Sequence, residues 1–220
     1  MKRIIIICEG PTEVEFCKEL LYPHLLDFGI IIQWALPGWS GGGEIAWSKL
    51  HKQILATLKQ DSTAIVTTFV DFYGLQKPTL FPNWDEAILI KADPYKRIEL
   101  LEQGMMDSIP ENIRHRFIPN IILHEFEGLL FNDIVHFENL YNYNEFKNKA
   151  ALINVLSEFE NPELINEIRE TSPSHRLKND IFIKFSKPID GIIIALDINL
   201  NKIRQKSLHF NDWIAKMENI

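Results

Sequence analysis

An α/β fold with a mainly parallel central sheet flanked by helices, continued by a helical C-terminal extension, is what this sequence predicts. Three observations carry the prediction. Short apolar runs at 4–8, 64–70 and 118–123 have the character of strands buried on both faces. Stretches with helical spacing lie between them, and beyond Phe131 no strand signal of comparable strength appears while helical stripes continue. Each of the three runs also ends at an acid, which bears on function as well as fold.

The first strand is Ile4 to Cys8, followed at once by Glu9. Gly10 and Pro11 then turn the chain, Thr12 is placed to cap a helix with Glu15 completing a capping box, and Val14, Phe16, Cys17, Leu20 and Leu21 recur on one helical face. A second strand runs from Ile30 to Leu36 and stops at Pro37-Gly38. Ser40-Gly41-Gly42-Gly43 precedes a helix from about Glu44 to Lys59. A glycine-rich loop before a helix can cradle phosphate, but this one lacks the Lys-Ser or Lys-Thr of a Walker loop and reads equally as a plain flexible connection.

The third strand, Ala64 to Val70, leads into Asp71 and repeats the placement of Glu9. A proline- and aromatic-rich passage comes next, with Pro78, Phe81, Pro82 and Trp84, whose rings either pack locally or stack on bases. A helix spans about Pro94 to Met106, and the last strand, Ile118 to Leu123, ends at His124-Glu125-Phe126-Glu127. Glu125 and Glu127 share a side in extended chain and diverge once a helix begins, so one of the two faces any site. Past this point helices are expected over about 144–159, 162–169, 189–196 and 211–218, with joints at Asn161-Pro162, Ser172-Pro173 and Lys187-Pro188. The division expected is an α/β domain over 1–132 and a helical extension over 133–220 packed on it.

The chain has 220 residues, enough for one substantial core, and its 46% apolar and 24% charged content argues against disorder. No apolar run approaches the length of a membrane span, and the isoleucine run is too short for a secretory signal, so a cytoplasmic chain without membrane contact is expected. Cys8 and Cys17 match no zinc spacing and fit reduced core thiols. A net charge of −7 lacks the basic footprint of a protein that wraps duplex nucleic acid. Local basic clusters remain: Arg114-His115-Arg116, and Arg176, Lys178 and Lys184, which either bind substrate phosphate or form a solvated surface.

Acids at three strand ends, Glu9, Asp71 and Glu125 or Glu127, form a sharper signal than any one of them, because functional groups of open α/β sheets gather at carboxyl ends of strands. Clustered carboxylates repel unless a divalent cation joins them, and all-oxygen ligation selects Mg²⁺ or Mn²⁺. The chemistry expected is phosphoryl or phosphodiester transfer, with Glu9, Glu13, Asp71 and Glu125 as candidate ligands and Glu125 or Glu127 completing the site or acting as base. The blander reading makes Glu9 a turn acceptor and Glu13 a solvated acid in the first helical turn.

The blocks IICEGPTE, TTFVDFYGL and ILHEFEGLLF, joined by NPELIN at 161–166, SPSHRL at 172–177 and HFNDW at 209–213, together resemble a bacterial family with a Toprim-like domain, domain-of-unknown-function family 4276. The resemblance covers most of the chain. It implies a Toprim-like Rossmannoid domain related to nucleases of the overcoming-lysogenization-defect type. By this resemblance Glu9 matches the Toprim glutamate and Asp71 the first aspartate of the Asp-x-Asp motif. Tyr73 stands where the second aspartate would fall, so Glu125 or Glu127 replaces that ligand, or one ion suffices, or catalysis has been lost. Relatives of this kind are often encoded beside an ABC- or AAA-type ATPase in phage-defence systems. The expectation is therefore a Mg²⁺-dependent nuclease acting on DNA or RNA with an ATPase partner; the alternatives are a non-catalytic module that regulates such an ATPase and a nucleotide phosphoesterase. Oligomeric state is not fixed by the sequence, and a homo-oligomer stays open.

Overall fold

In the computed structural model, residues 2–36, 45–75, 80–165 and 168–220 are described. The glycine-rich loop at 40–43 and Pro78 lie outside them. Strand β1 (Lys2–Cys8) runs into α1 (Pro11–Phe16), a π-helical turn over Cys17–Leu21 and α2 (Tyr22–Asp27). Gly29, at φ +71°, reverses the chain into β2 (Ile30–Ala35), a conformation that costs glycine little. Helix α3 (Trp47–Gln60) returns the chain to β3 (Ile65–Asp71), and α4 (Trp84–Ala87), α5 (Pro94–Asp107) and α6 (Glu111–Arg114) lead to β4 (Phe117–Ile118) and β5 (Ile121–Ile122).

All of these strands pair parallel, in the order β2-β1-β3-β4, with β5 also on β3. That leaves β1 and β3 side by side in the interior of the sheet, in a register that sets Cys8 opposite Phe69. The expected strand over 118–123 is two short pieces for a definite reason. Pro119 has no N–H to give to a ladder. Around it side chains replace the missing rungs: Thr67 Oγ1 donates to the Ile118 carbonyl at 2.6 Å, Thr68 Oγ1 to that of Asn120 at 2.7 Å, and Asn120 Nδ2 to that of Thr68 at 3.1 Å.

The helix after β1 also begins differently from the expected capping box. Pro11 occupies its first turn and Gly10 its N-cap, with no side-chain cap. Proline suits that position because its missing N–H is one the helix start leaves unbonded. Thr12 is therefore inside the helix and buried, and Glu15 pairs with Lys18 at 2.5 Å instead. A true cap is found at α5, where Asp93 accepts from the Lys96 N–H.

The chain forms two compact units, Met1–Leu123 with Asp212–Ile220, and His124–Asn211. The expected division fell at residue 132. The segment after β5 belongs to the second unit because it coils into a 3₁₀ turn, Phe126–Leu130, whose Gly128 lies so close to Pro162 that an added Cβ would sit 3.3 Å from the Pro162 carbonyl oxygen. This unit continues through α7 (Ile134–Glu138), α8 (Lys149–Glu158), α9 (Pro173–His175), π-helical turns at Arg176–Ile181 and Lys187–Gly191, α10 (Ile192–Ile198) and α11 (Leu200–Lys206). The last helix is α12 (Leu208–Glu218).

In the first unit the aromatic core includes Phe16 edge-on to Phe69 and Phe69 against Trp213, whose indole N–H donates to Thr67 Oγ1 at 2.8 Å. In the second, Glu163 accepts from the N–H groups of His209 and Phe210, satisfying donors that a helix start leaves unbonded. Among the described residues no helix is long and apolar enough to cross a membrane.

Candidate active site

Glu9 sits one residue beyond β1, and its N–H still bonds the Phe69 carbonyl of β3 at 2.9 Å. That extra rung holds the backbone of Glu9 at the carboxyl edge of the sheet. Its side chain then reaches across: Glu9 Oε2 accepts from the N–H of Asp71, the last residue of β3, at 2.8 Å. The bond holds the Glu9 carboxylate against the main chain at the end of β3. Asp71 is 5% exposed, and Glu9 is half-buried.

Gly74 closes over the same point. A Cβ there would lie 3.0 Å from both carboxylate oxygens of Glu9, tighter than most side-chain contacts, so a larger residue would make the Glu9 carboxylate shift by a few tenths of an ångström. Glu13 is 2% exposed, which removes the reading of a solvated first-turn acid. Its Oε2 lies 3.2 Å from where a Cβ on Gly10 would be. Burial pushes the Cys17 thiol well above its ordinary value, helped by Cys8, whose sulfur is 3.8 Å away, and by the charge of Glu13. Both cysteines are free and buried, as expected of core thiols.

The other two acids belong to the second unit. Glu125 is extended, and both its oxygens are engaged by Ser174, Oε2 by the N–H at 2.9 Å and Oε1 by the hydroxyl at 3.0 Å. Glu127 is already inside the 3₁₀ turn and meets a different partner, although it stays close enough to feel the Glu125 charge. Glu127 is 1% exposed, with the Lys187 ammonium 3.1 Å from Oε2. Burial raises its carboxyl above the usual range and the Glu125 charge adds to this, while Lys187 opposes it. Of the basic candidates, Arg176 donates through Nε to the Thr171 carbonyl at 2.7 Å, and Lys178 and Lys184 are exposed. In the first unit Arg116 is a clamp, bonding the carbonyls of Leu58, Asp61 and Ala64.

Among the described residues no group of three or more His, Cys, Asp or Glu side chains is arranged to hold a metal ion. A family model described as "Domain of unknown function (DUF4276)" matches residues 8–218. The chain belongs to this family. No curated protein and no solved structure matches it. The DUF4276 match takes in every candidate acid, from Glu9 to Glu127, and all three basic candidates.

Two participants escaped the sequence reading. Gly74 carried a usable signal, a glycine three residues after a strand-terminal acid. Ser174 stands in the SPSHRL block at 172–177, but nothing there pointed to Glu125, its partner far away in the chain.

Proposed function

We propose that this DUF4276 chain is a Toprim-type, Mg²⁺-dependent nuclease hydrolysing phosphodiester bonds of DNA or RNA at the Glu9–Asp71 edge, in a cytoplasmic phage-defence setting. The observation that carries the reading is the Glu9 carboxylate bonded to the Asp71 N–H between two central parallel strands, where α/β folds keep their sites. The donor set fits a hard cation: it is all oxygen, and the Cβ-free space at Gly74 lies against both Glu9 oxygens. Mg²⁺ is commonly held by one or two carboxylates, completed by water and substrate phosphates, so a protein cluster of three acids is not required. Mn²⁺ satisfies the same donors.

When bound, the ion supplies activation of the attacking water and stabilisation of the leaving oxygen. Glu9 and Asp71 would hold it, and the Asp71 N–H keeps the Glu9 carboxylate from swinging away. Glu13, buried beside Gly10, adds negative charge to the same strand-turn-helix corner. Glu125 and Glu127 are not needed for this reading.

The test is titration of the protein with Mg²⁺ and Mn²⁺, alone and with uncleavable oligonucleotide, then cleavage assays on plasmid and tRNA. Wild type is expected to bind metal and cleave, and Asp71→Ala to do neither. Absence of both in wild type sinks the nuclease.

A regulatory module that docks an ABC- or AAA-type ATPase is the second reading, favoured by one observation. Ile189, Ile193 and Leu196 form an exposed stripe with i, i+4, i+7 spacing over the turn Lys187–Gly191 and α10. Under it, co-purification with the ATPase survives Asp71→Ala and is lost when Ile193 is replaced by Asp.

A further inference from the structure

Beside Asp71 the chain builds a second feature. The ring of Phe72, the next residue, stacks on Trp84 with centroids 5.8 Å apart and planes 22° apart, and Arg97 covers Phe72 with its guanidinium carbon 4.8 Å from the ring centroid. Trp84 in turn lines a cleft of about 360 Å³ together with Leu80, Phe81, Asn83, Asp85 and Glu86. Two of these lining residues hold left-handed backbone, Leu80 at φ +50° and Asn83 at φ +60°. For leucine that conformation is costly, and strain of this kind collects at ligand-binding positions. Leu80 is 71% exposed, so no burial of its side chain repays the cost.

The chemistry of the cleft is specific. The half-buried Trp84 gives it aromatic surface, over a floor of Phe81, which is 3% exposed and fixed by its contact with Trp47, ring centroids 5.2 Å apart. The rim is acidic: Asp85 and Glu86 are exposed, accept hydrogen bonds and repel phosphate. The ligand that suits it is therefore flat, uncharged and edged with N–H donors. A nucleobase meets these terms, and guanine best, since its N1–H and N2–H₂ lie side by side and match one carboxylate in bidentate fashion. The repelled phosphates would extend away from the acidic rim.

We infer that the Leu80–Glu86 cleft holds one unpaired guanine base of a single-stranded nucleic acid, stacked on Trp84 and read by Glu86. The inference rests on the proposed phosphodiester chemistry for its substrate class. It restricts that substrate to single strands, because the edge that meets the carboxylate is engaged in a duplex.

Binding without turnover tests it: fluorescence anisotropy of labelled UUGUU and UUUUU pentanucleotides in EDTA. The guanine-containing strand is expected to bind about 10-fold tighter, the range that stacking and a bidentate contact provide. Trp84→Ala should erase the difference, and Glu86→Gln should shrink it without weakening UUUUU. Because Trp84 also packs on Phe72, the exposed Glu86→Gln variant reads the contact even if Trp84→Ala misfolds. Asp71→Ala should keep the full preference, which separates this subsite from the metal site. Equal affinity for both strands, or a preference that persists in both variants, overturns the inference. Two competitors complete the test. Displacement by GMP as effective as by UUGUU would make the cleft a free-nucleotide site, and displacement by arginine amide but not by GMP would make it a site for a partner protein's guanidinium; either overturns the assignment.

Discussion

The two units handle the same sequence signature, an apolar run ending in an acid, in opposite ways. In the first, Glu9 is half-buried, accepts a backbone N–H and lies against the open space that Gly74 leaves. In the second, Glu125 accepts two bonds from Ser174, and Glu127 is 1% exposed with the Lys187 ammonium beside it. The Glu9 carboxylate is tied to the edge of the central sheet, whereas Glu125 and Glu127 meet a serine and a lysine of their own unit. The difference lies in the neighbours each acid meets, and strand-terminal placement alone does not decide it.

The contrast breaks most visibly at Lys187. Replacing it with Met leaves Glu127 buried beside Glu125 with no ammonium, and removal of one partner of a buried pair costs about 3–5 kcal/mol. Lys187 keeps some solvent contact, so the lower end of that range is expected, read as a fall in denaturation midpoint. Unchanged stability would mean that Glu127 is not confined as described. Ser174→Ala is milder. It removes one charge-assisted bond to Glu125 and leaves the backbone N–H in place, a loss of about 1–2 kcal/mol by the same measurement. Neither change should alter Mg²⁺ titration if metal binding belongs to Glu9 and Asp71.

The smallest effect is on pH dependence. Glu127 has its folded carboxyl raised above the ordinary 4.5, chiefly by burial. The folded state therefore binds the proton more tightly than the unfolded state. Its contribution to stability is fully present below pH 4.5 and falls as pH climbs from there through the raised value. Glu127→Gln, which carries no titrating group, should flatten that part of the stability profile; a profile of unchanged slope would place the titration elsewhere.

How much was legible in the sequence depends on the range of each interaction. The β1, β2 and β3 strands were readable because apolar runs are local, and their ends located Glu9 and Asp71 within a residue. Parallel pairing came from the helices between them. What failed was also physical. Pro119 divided a strand that its neighbours' hydrophobicity had joined, and Pro11 began a helix one residue ahead of the threonine that looked like its cap. What Glu125 and Glu127 meet depends on Ser174 and Lys187, and no periodicity links residues so distant in the chain.

The Glu9 side chain also fastens the sheet, and this affects how residue 9 should be interrogated. Its bond to the Asp71 N–H works as one more rung joining β1 to β3, at a place where a one-residue slip would turn every side chain of a strand to the opposite face. Substituting Glu9 therefore perturbs strand alignment as well as any ion binding proposed for it, and a Glu9 variant that loses activity does not separate the two. Asp71 enters that rung through its main chain, so exchanging its side chain leaves the donor of the Glu9 bond in place, and Asp71 variants are the cleaner test of the proposed chemistry.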